Sequence, residues 1–155
     1  TGIEVNNLLG EADINPRGFH VLNPGQAMMT MMAPTLAFKG DSSCLSLGSG
    51  GSNRLRNAIM QTLSHVIEYG CAVQDAVLAP RLHVESHADG LELNIESDPL
   101  IEPHLNRLAE LFPKQVLFPE RNMFFGGVHT ACLKGGHFTG VGDPRRGGCV
   151  AFGHR

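Results

Sequence analysis

A chain of 155 residues with 42% hydrophobic content has the size and the apolar material for one domain with a sizeable core. A formal net charge of −3, no tryptophan and a single tyrosine argue against a polyanion-binding surface or a base-stacking platform, so nucleic acid is not an expected partner. No apolar run is long enough to span a bilayer, and 19 glycines and nine prolines interrupted by hydrophobic segments mark a loop-rich α+β chain rather than disorder.

In chain order, Gly2 to Asn6 reads as a strand. The segment from Leu8 to Ala27 carries the turn signals Asn15-Pro16-Arg17-Gly18 and Asn23-Pro24-Gly25, and reads as a long loop wrapping a site. Thr35 to Lys39 and Cys44 to Leu47 form a predicted hairpin around Gly40-Asp41. Arg54 to Tyr69 is a predicted helix whose apolar face is Leu55, Ala58, Ile59, Leu63, Val66 and Ile67. Asn53 or Ser52 caps its start and Gly70 ends it in the left-handed conformation. A short helix over Val73 to Leu78 must stop before Pro80, because the residue preceding proline is pushed out of the helical region. Arg81 to Val84 and Leu91 to Ile95 alternate as strands. A third helix is expected from Ser97 or Asp98 as cap, with Pro99 at its first position and Ile101, Leu105, Leu108 and Phe112 on its face. Val116 to Phe118, Gly127 to Leu133, His137 to Val141 and Gly148 to Phe152 complete a β-rich end.

The chemistry concentrates in Leu45-Ser46-Leu47-Gly48-Ser49-Gly50-Gly51-Ser52-Asn53-Arg54, where a short apolar strand turns into the long helix. Such a turn aims backbone N–H groups outward at a positive helix end, where they can hold an anion or a developing oxyanion. The bland alternative is a glycine connection that only lets strand and helix pack closely. Other patterns carry less. His83-Val84-Glu85-Ser86-His87 would bind zinc only on a helix; on a strand its histidines stand about 13 Å apart at roughly 3.3 Å per residue. Met28, Met29, Met31 and Met32 read as flexible core filler. Cys44, Cys71, Cys132 and Cys149 lack a C-x-x-C pair, and their apolar neighbours favour buried free thiols. No metal site and no cofactor is expected.

The succession Gly48 to Arg54, the helix, Glu68-Tyr69-Gly70, Asp75-Ala76 and Ala79-Pro80-Arg81-Leu82-His83 resembles the small, C-terminal subunit of the gamma-glutamyltransferase (gamma-glutamyltranspeptidase) family. Gly2-Ile3-Glu4-Val5-Asn6-Asn7, Met32-Ala33-Pro34-Thr35 and Gly142-Asp143-Pro144-Arg145 agree with it in order. The resemblance implies part of a four-layer αββα N-terminal-nucleophile hydrolase sandwich. It further implies transfer or hydrolysis of γ-glutamyl groups from small molecules such as glutathione, through an acyl-threonine intermediate. Thr1-Gly2 matches the small residue and glycine just before the Asn-Asn strand, not the family's nucleophile. The chain is therefore expected to be a single-domain C-terminal piece, inactive alone, whose partner is the large subunit of the same precursor; a homodimer is the other expected association.

By the same resemblance the oxyanion glycines fall on Gly51 and Ser52 counting back from Arg54, or on Gly50 and Gly51 counting by the Gly-Gly itself. The substrate α-amino group would face Glu11, and the α-carboxylate would meet Thr30. Leu8 and Met31 replace polar family residues and cannot make those contacts. Asn6 and Asn7 either orient the loop through their amides or are plainly structural. A relative acting on another acyl substrate, or a non-catalytic domain binding a ligand or partner on the same scaffold, are the alternatives; the encoded sequence upstream of Thr1 discriminates them.

Overall fold

Alternating apolar residues in Ser43–Gly50 and Gly127–Lys134 place Leu45, Leu47, Val128 and Thr130 on one sheet face, and this face is the floor of the core. The structure is a computed structural model and describes residues 2–3 and 6–153. Its contacts divide into two compact units, Thr1–Met32 and Ala33–Arg155.

The first unit carries two 3₁₀ turns, Leu8–Gly10 and Ala12–Ile14, inside the segment expected as loop. The Asn15 amide holds them together by donating to Leu8 O (3.0 Å) and Glu11 O (2.8 Å). The expected Gly2–Asn6 strand is not seen at Gly2, Ile3 or Asn6; Glu4 and Val5 lie outside the described residues, as does Thr1. Met28, Met29 and Met32 are exposed rather than core filler.

In the second unit β1 (Thr35–Lys39), β2 (Ser43–Gly50), β6 (Gly127–Lys134) and β7 (His137–Val141) form an antiparallel sheet in the order β1-β2-β6-β7. β3 (Leu82–His87) and β4 (Gly90–Glu96) are an antiparallel hairpin, and β5 (Lys114–Phe118) joins β4 in parallel after a crossover through α3 (Leu105–Leu111). α1 (Arg54–Ile67) packs on β2 and β6, and α2 (Val73–Leu78) on β6 and β7. Leu55, Ala58 and Ile59 of α1 with Ala76 and Val77 of α2 close the core over Leu45, Leu47 and Val128. Each buried Val, Leu or Ile side chain there contributes about 1.5–3 kcal/mol of transfer free energy, and each alanine methyl less.

The elements depart from expectation where tertiary contacts or proline intervene. α1 ends at Ile67; Ile67 is exposed, while Thr62 is buried because its hydroxyl donates to Ala58 O (2.9 Å). Gly70 (φ 67°) makes the expected left-handed stop, letting Cys71 N–H reach His65 O (2.9 Å). Asn53 is not the expected side-chain cap: it is already helical and makes no such bond, its Oδ1 accepting from Arg54 instead. The third helix starts at Leu105, because Pro103 sits in a preceding 3₁₀ turn, Glu102–His104, and restricts the residue before it. Gly148 to Phe152 is not a strand. A Cβ on Gly148 would meet the His129 ring and one on Gly140 would meet Val150, so this segment crosses the sheet face instead of pairing at its edge. All four cysteines are free thiols, but none is buried; Cys149 is exposed.

Opposite the core, β1, β2, β6 and β7 present the cross-strand row Phe38, Cys44, Leu133 and Phe138. Phe38 and Phe138 are 71% and 70% exposed.

Candidate functional site

The strand β2 ends at Gly50, and the chain turns through Gly51 (φ 128°) and Ser52 (φ 55°) into α1. Arg54 N–H bonds Gly51 O (3.1 Å) and Leu55 N–H bonds Ser52 O (3.3 Å), so the turn is continuous with the first turn of the helix. Left-handed backbone costs glycine nothing, whereas Ser52 holds it at a cost of order 1 kcal/mol.

Close backbone approach shapes this corner. Gly50 stands opposite Gly127 in the ladder, and a Cβ on Gly51 would lie 2.9 Å from Gly126 Cα. A Cβ on Gly126 (φ 78°) would lie 2.7 Å from Ser49 Oγ and 2.8 Å from Gly50 O. Ser49 Oγ donates to Gly50 O (2.8 Å) and accepts from Gly127 N–H (3.1 Å). The Arg146 side chain covers the other side: its Cγ would lie 2.7 Å from a Cβ on Gly127, and Nη2 3.6 Å from one on Gly51. Arg146 Nη2 also donates to Met123 O (3.3 Å). Arg54 anchors the helix start, donating from Nε to Phe124 O (2.8 Å), pairing with Glu85 (3.2 Å) and lying 4.4 Å above the Phe124 ring.

Behind the turn sits a buried ion network. Asp143 Oδ2 accepts from Arg81 Nη2 (2.7 Å) and Val128 N–H (2.8 Å), while Oδ1 accepts from Arg145 N–H (2.9 Å). Glu96 accepts from Arg145 Nε (2.7 Å) and Nη2 (2.6 Å), from Arg81 N–H (3.0 Å) and from Asn122 N–H (2.9 Å). All four side chains are buried, and two cations balance two anions. Burial alone would raise the Asp143 carboxyl, but Arg81 and the Arg145 and Val128 amides outweigh it and hold Asp143 below the usual carboxylate range. Burial and then Arg145 lower Arg81; burial opposes Arg145 too, yet the Glu96 hydrogen bonds prevail and raise it. Both guanidiniums remain charged.

The Ala-Pro-Arg and Asp-Pro-Arg motifs are thus joined in space. Glu96, Ser49 and Arg146 were not marked by the sequence: Glu96 ends a strand whose pattern gives no hint of burial, and Ser49 and Arg146 gain meaning only from what pairs beside them. Of the expected substrate residues, Glu11 is half-buried between the two 3₁₀ turns of the first unit, its carbonyl accepting from Asn15. Thr30 in the same unit is exposed, and its Oγ1 accepts from Met32 N–H (3.1 Å). Gly50, Gly51 and Ser52 belong to the second unit.

His83 and His87 lie on β3, as expected for a strand. Glu85, His87 and Glu92 have ligand atoms within 4.8 Å of one another, but Arg54 and Lys114 (3.5 Å from Glu92) already supply positive charge there. Burial, then Arg54, lowers the His83 pKa against the opposing pull of Glu85.

A family model described as gamma-glutamyltranspeptidase matches residues 1–153. The chain belongs to the gamma-glutamyltranspeptidase family. The glutathione hydrolase proenzyme of Bacillus subtilis (strain 168) is 29% identical over 156 residues, covering 96% of this chain and 24% of that protein. Acylase ACY 1 proenzyme of Pseudomonas sp. (strain SE83) is 32% identical over 92 residues, covering 59% of this chain and 16% of that protein. The Bacillus anthracis transpeptidase CapD superposes with a TM-score of 0.68 at 25% identity, over 84% of this chain and 75% of that one. The chain spans a quarter or less of the length of the curated relatives it matches. Its mixed α/β structure is the fold of this family, part of an αββα N-terminal-nucleophile hydrolase sandwich. Among the described residues no helix is long and apolar enough to cross a membrane.

Proposed function

We propose that this chain is the C-terminal part of a gamma-glutamyltransferase-like enzyme that transfers or hydrolyses γ-glutamyl groups, and that residues 1–155 form one functional domain of it. The observation that carries the reading is the Gly50-Gly51-Ser52 turn, set between a strand end and a helix start and roofed by Arg146, in a chain matched to the family along almost its whole length. A threonine Oγ, supplied from outside this chain, attacks the γ-carbonyl carbon. The carbonyl electrons move to oxygen and are held by backbone N–H groups of the turn, Gly51 foremost. Collapse of that oxyanion expels the amine, which takes the proton the threonine lost; water or an acceptor amine then attacks the acyl-threonine.

Glu11 faces the donor's ammonium in this reading and Thr30 hydrogen-bonds its carboxylate. Arg146 sets a cation beside the Gly50-Gly51 turn within the second unit, available to an anionic group. The large subunit of the same precursor is the partner, and the exposed row of Phe38 and Phe138 supports a covering sheet there; a homodimer on that face is the other association it supports.

The test is turnover of a chromogenic γ-glutamyl amide. The complete protein turns it over, and residues 1–155 alone give no rate above buffer. Turnover by the isolated chain that Thr1→Ala abolishes would overturn the placement of the nucleophile. A second reading is a different acyl substrate, favoured by the similarity to an acylase and by Leu8 and Met31, which remove two polar contacts and leave an α-amino acid donor partly unpaired. Faster turnover of an acyl amide lacking the α-amino group would select it.

A further inference from the structure

The Ser49 hydroxyl both donates and accepts a hydrogen bond at this corner. Gly127 N–H points at its lone pair from 3.1 Å, so its own hydrogen is directed to Gly50 O at 2.8 Å. Gly50 O belongs to the peptide plane that ends in Gly51 N–H. In a trans peptide the carbonyl and the N–H point in opposite directions, so a group that holds the carbonyl also aims the amide. The Gly50 carbonyl is held against Gly126, where a Cβ would come within 2.8 Å, and the Gly51 N–H is therefore turned away from that backbone. Glycine on both sides leaves this peptide plane free to rotate: Gly51 sits at φ 128°, a region that glycine enters and leaves without steric penalty.

We propose that Ser49 is a positioning residue for the reaction, its hydroxyl fixing the Gly50–Gly51 peptide so that the Gly51 amide faces the developing oxyanion. This rests on the proposed acyl-transfer reading. Without the hydroxyl the plane is held by the packing of Gly126 and by the pairing of Gly50 with Gly127 at the last position of the ladder, where the strand frays most readily, and the flipped state would present a carbonyl oxygen where a donor is needed. Ser49 touches neither donor nor nucleophile; it acts through its neighbour.

The experiment is Ser49→Ala and Ser49→Thr in the complete protein, with kcat and KM measured on a γ-glutamyl amide, and a crystal structure of the Ser49→Ala variant. Expected are a fall in kcat of about 10- to 100-fold with KM within about twofold, recovery of most of that loss in Ser49→Thr, and a rotated Gly50 carbonyl in the alanine structure. A purely structural serine would instead lower active protein and leave kcat per folded site intact. An unchanged kcat overturns the proposal, as does a lost kcat with the Gly50 carbonyl still in place. Absence of turnover in the parent protein would refute the acyl-transfer reading itself, and with it any role for Ser49 in that reaction; an unmoved carbonyl would separately refute the hydroxyl's hold on the peptide plane.

Discussion

Arg81 Nη2 lies 2.7 Å from Asp143 Oδ2 with both side chains shut off from solvent, 62 residues apart in sequence. Replacing such a pair by apolar groups can be neutral, but removing one member strands the other. Asp143→Asn leaves Arg81 and Arg145 facing Glu96 alone, and also weakens the contact that holds Val128 N–H. We expect a loss of about 3–5 kcal/mol in urea unfolding. A loss below about 1 kcal/mol would mean that water reaches the network.

The same network and His83 set the acid limb of stability. Asp143 is depressed in the folded state by Arg81 and backbone donors that outweigh burial, so it contributes stability above its unfolded value of about 3.9, lost as pH falls through the folded value. His83 is depressed by burial first; the unfolded chain takes up its proton first as pH falls below about 6.5, so stability also declines there. Thermal melts from neutral to acid pH should thus show two declines. His83→Gln should flatten the upper one and leave the lower; an upper decline that persists assigns it to another group.

Gly126→Ala and Gly136→Ala separate backbone strain from damage to the turn. Both glycines have positive φ, 78° and 80°, so both substitutions cost about 1–3 kcal/mol of strain. Only at Gly126 would the new Cβ meet Ser49 Oγ and Gly50 O; at Gly136 nothing lies within 4 Å. We expect both variants to lose stability, but only Gly126→Ala to lose kcat per folded molecule. Equal kcat in the two would detach the turn from the chemistry.

If Glu11 holds the donor ammonium, Glu11→Gln removes the charge at nearly constant shape. A charged hydrogen bond is worth about 1.5–3 kcal/mol, which is roughly a tenfold to hundredfold fall in kcat/KM for γ-glutamyl donors. An analogue lacking the α-amino group should be nearly indifferent. Equal losses for both donors would show that Glu11 supports the 3₁₀ turns rather than the ligand.

Local rules carried the reading wherever a segment's neighbours in sequence are also its neighbours in space. The spacing of Leu55, Ala58 and Ile59 determined α1, Gly70 its end, Pro80 the limit of α2, and Gly40-Asp41 the first hairpin, because helix periodicity and turn chemistry act within a few residues. The Gly48 to Arg54 turn was legible for the same reason. What surrounds that turn was not. Glu96 is buried because two arginines from distant motifs converge on it, Ser49 becomes a staple because β6 arrives 78 residues later, and Arg146 roofs the glycines because Asp143 anchors the segment before it. Pro103 delayed α3, and Gly148 to Phe152 lay across a sheet rather than extending it. Those outcomes depend on which distant backbones come within 3 Å of one another, a property of the assembled sheets and not of any stretch of residues read alone.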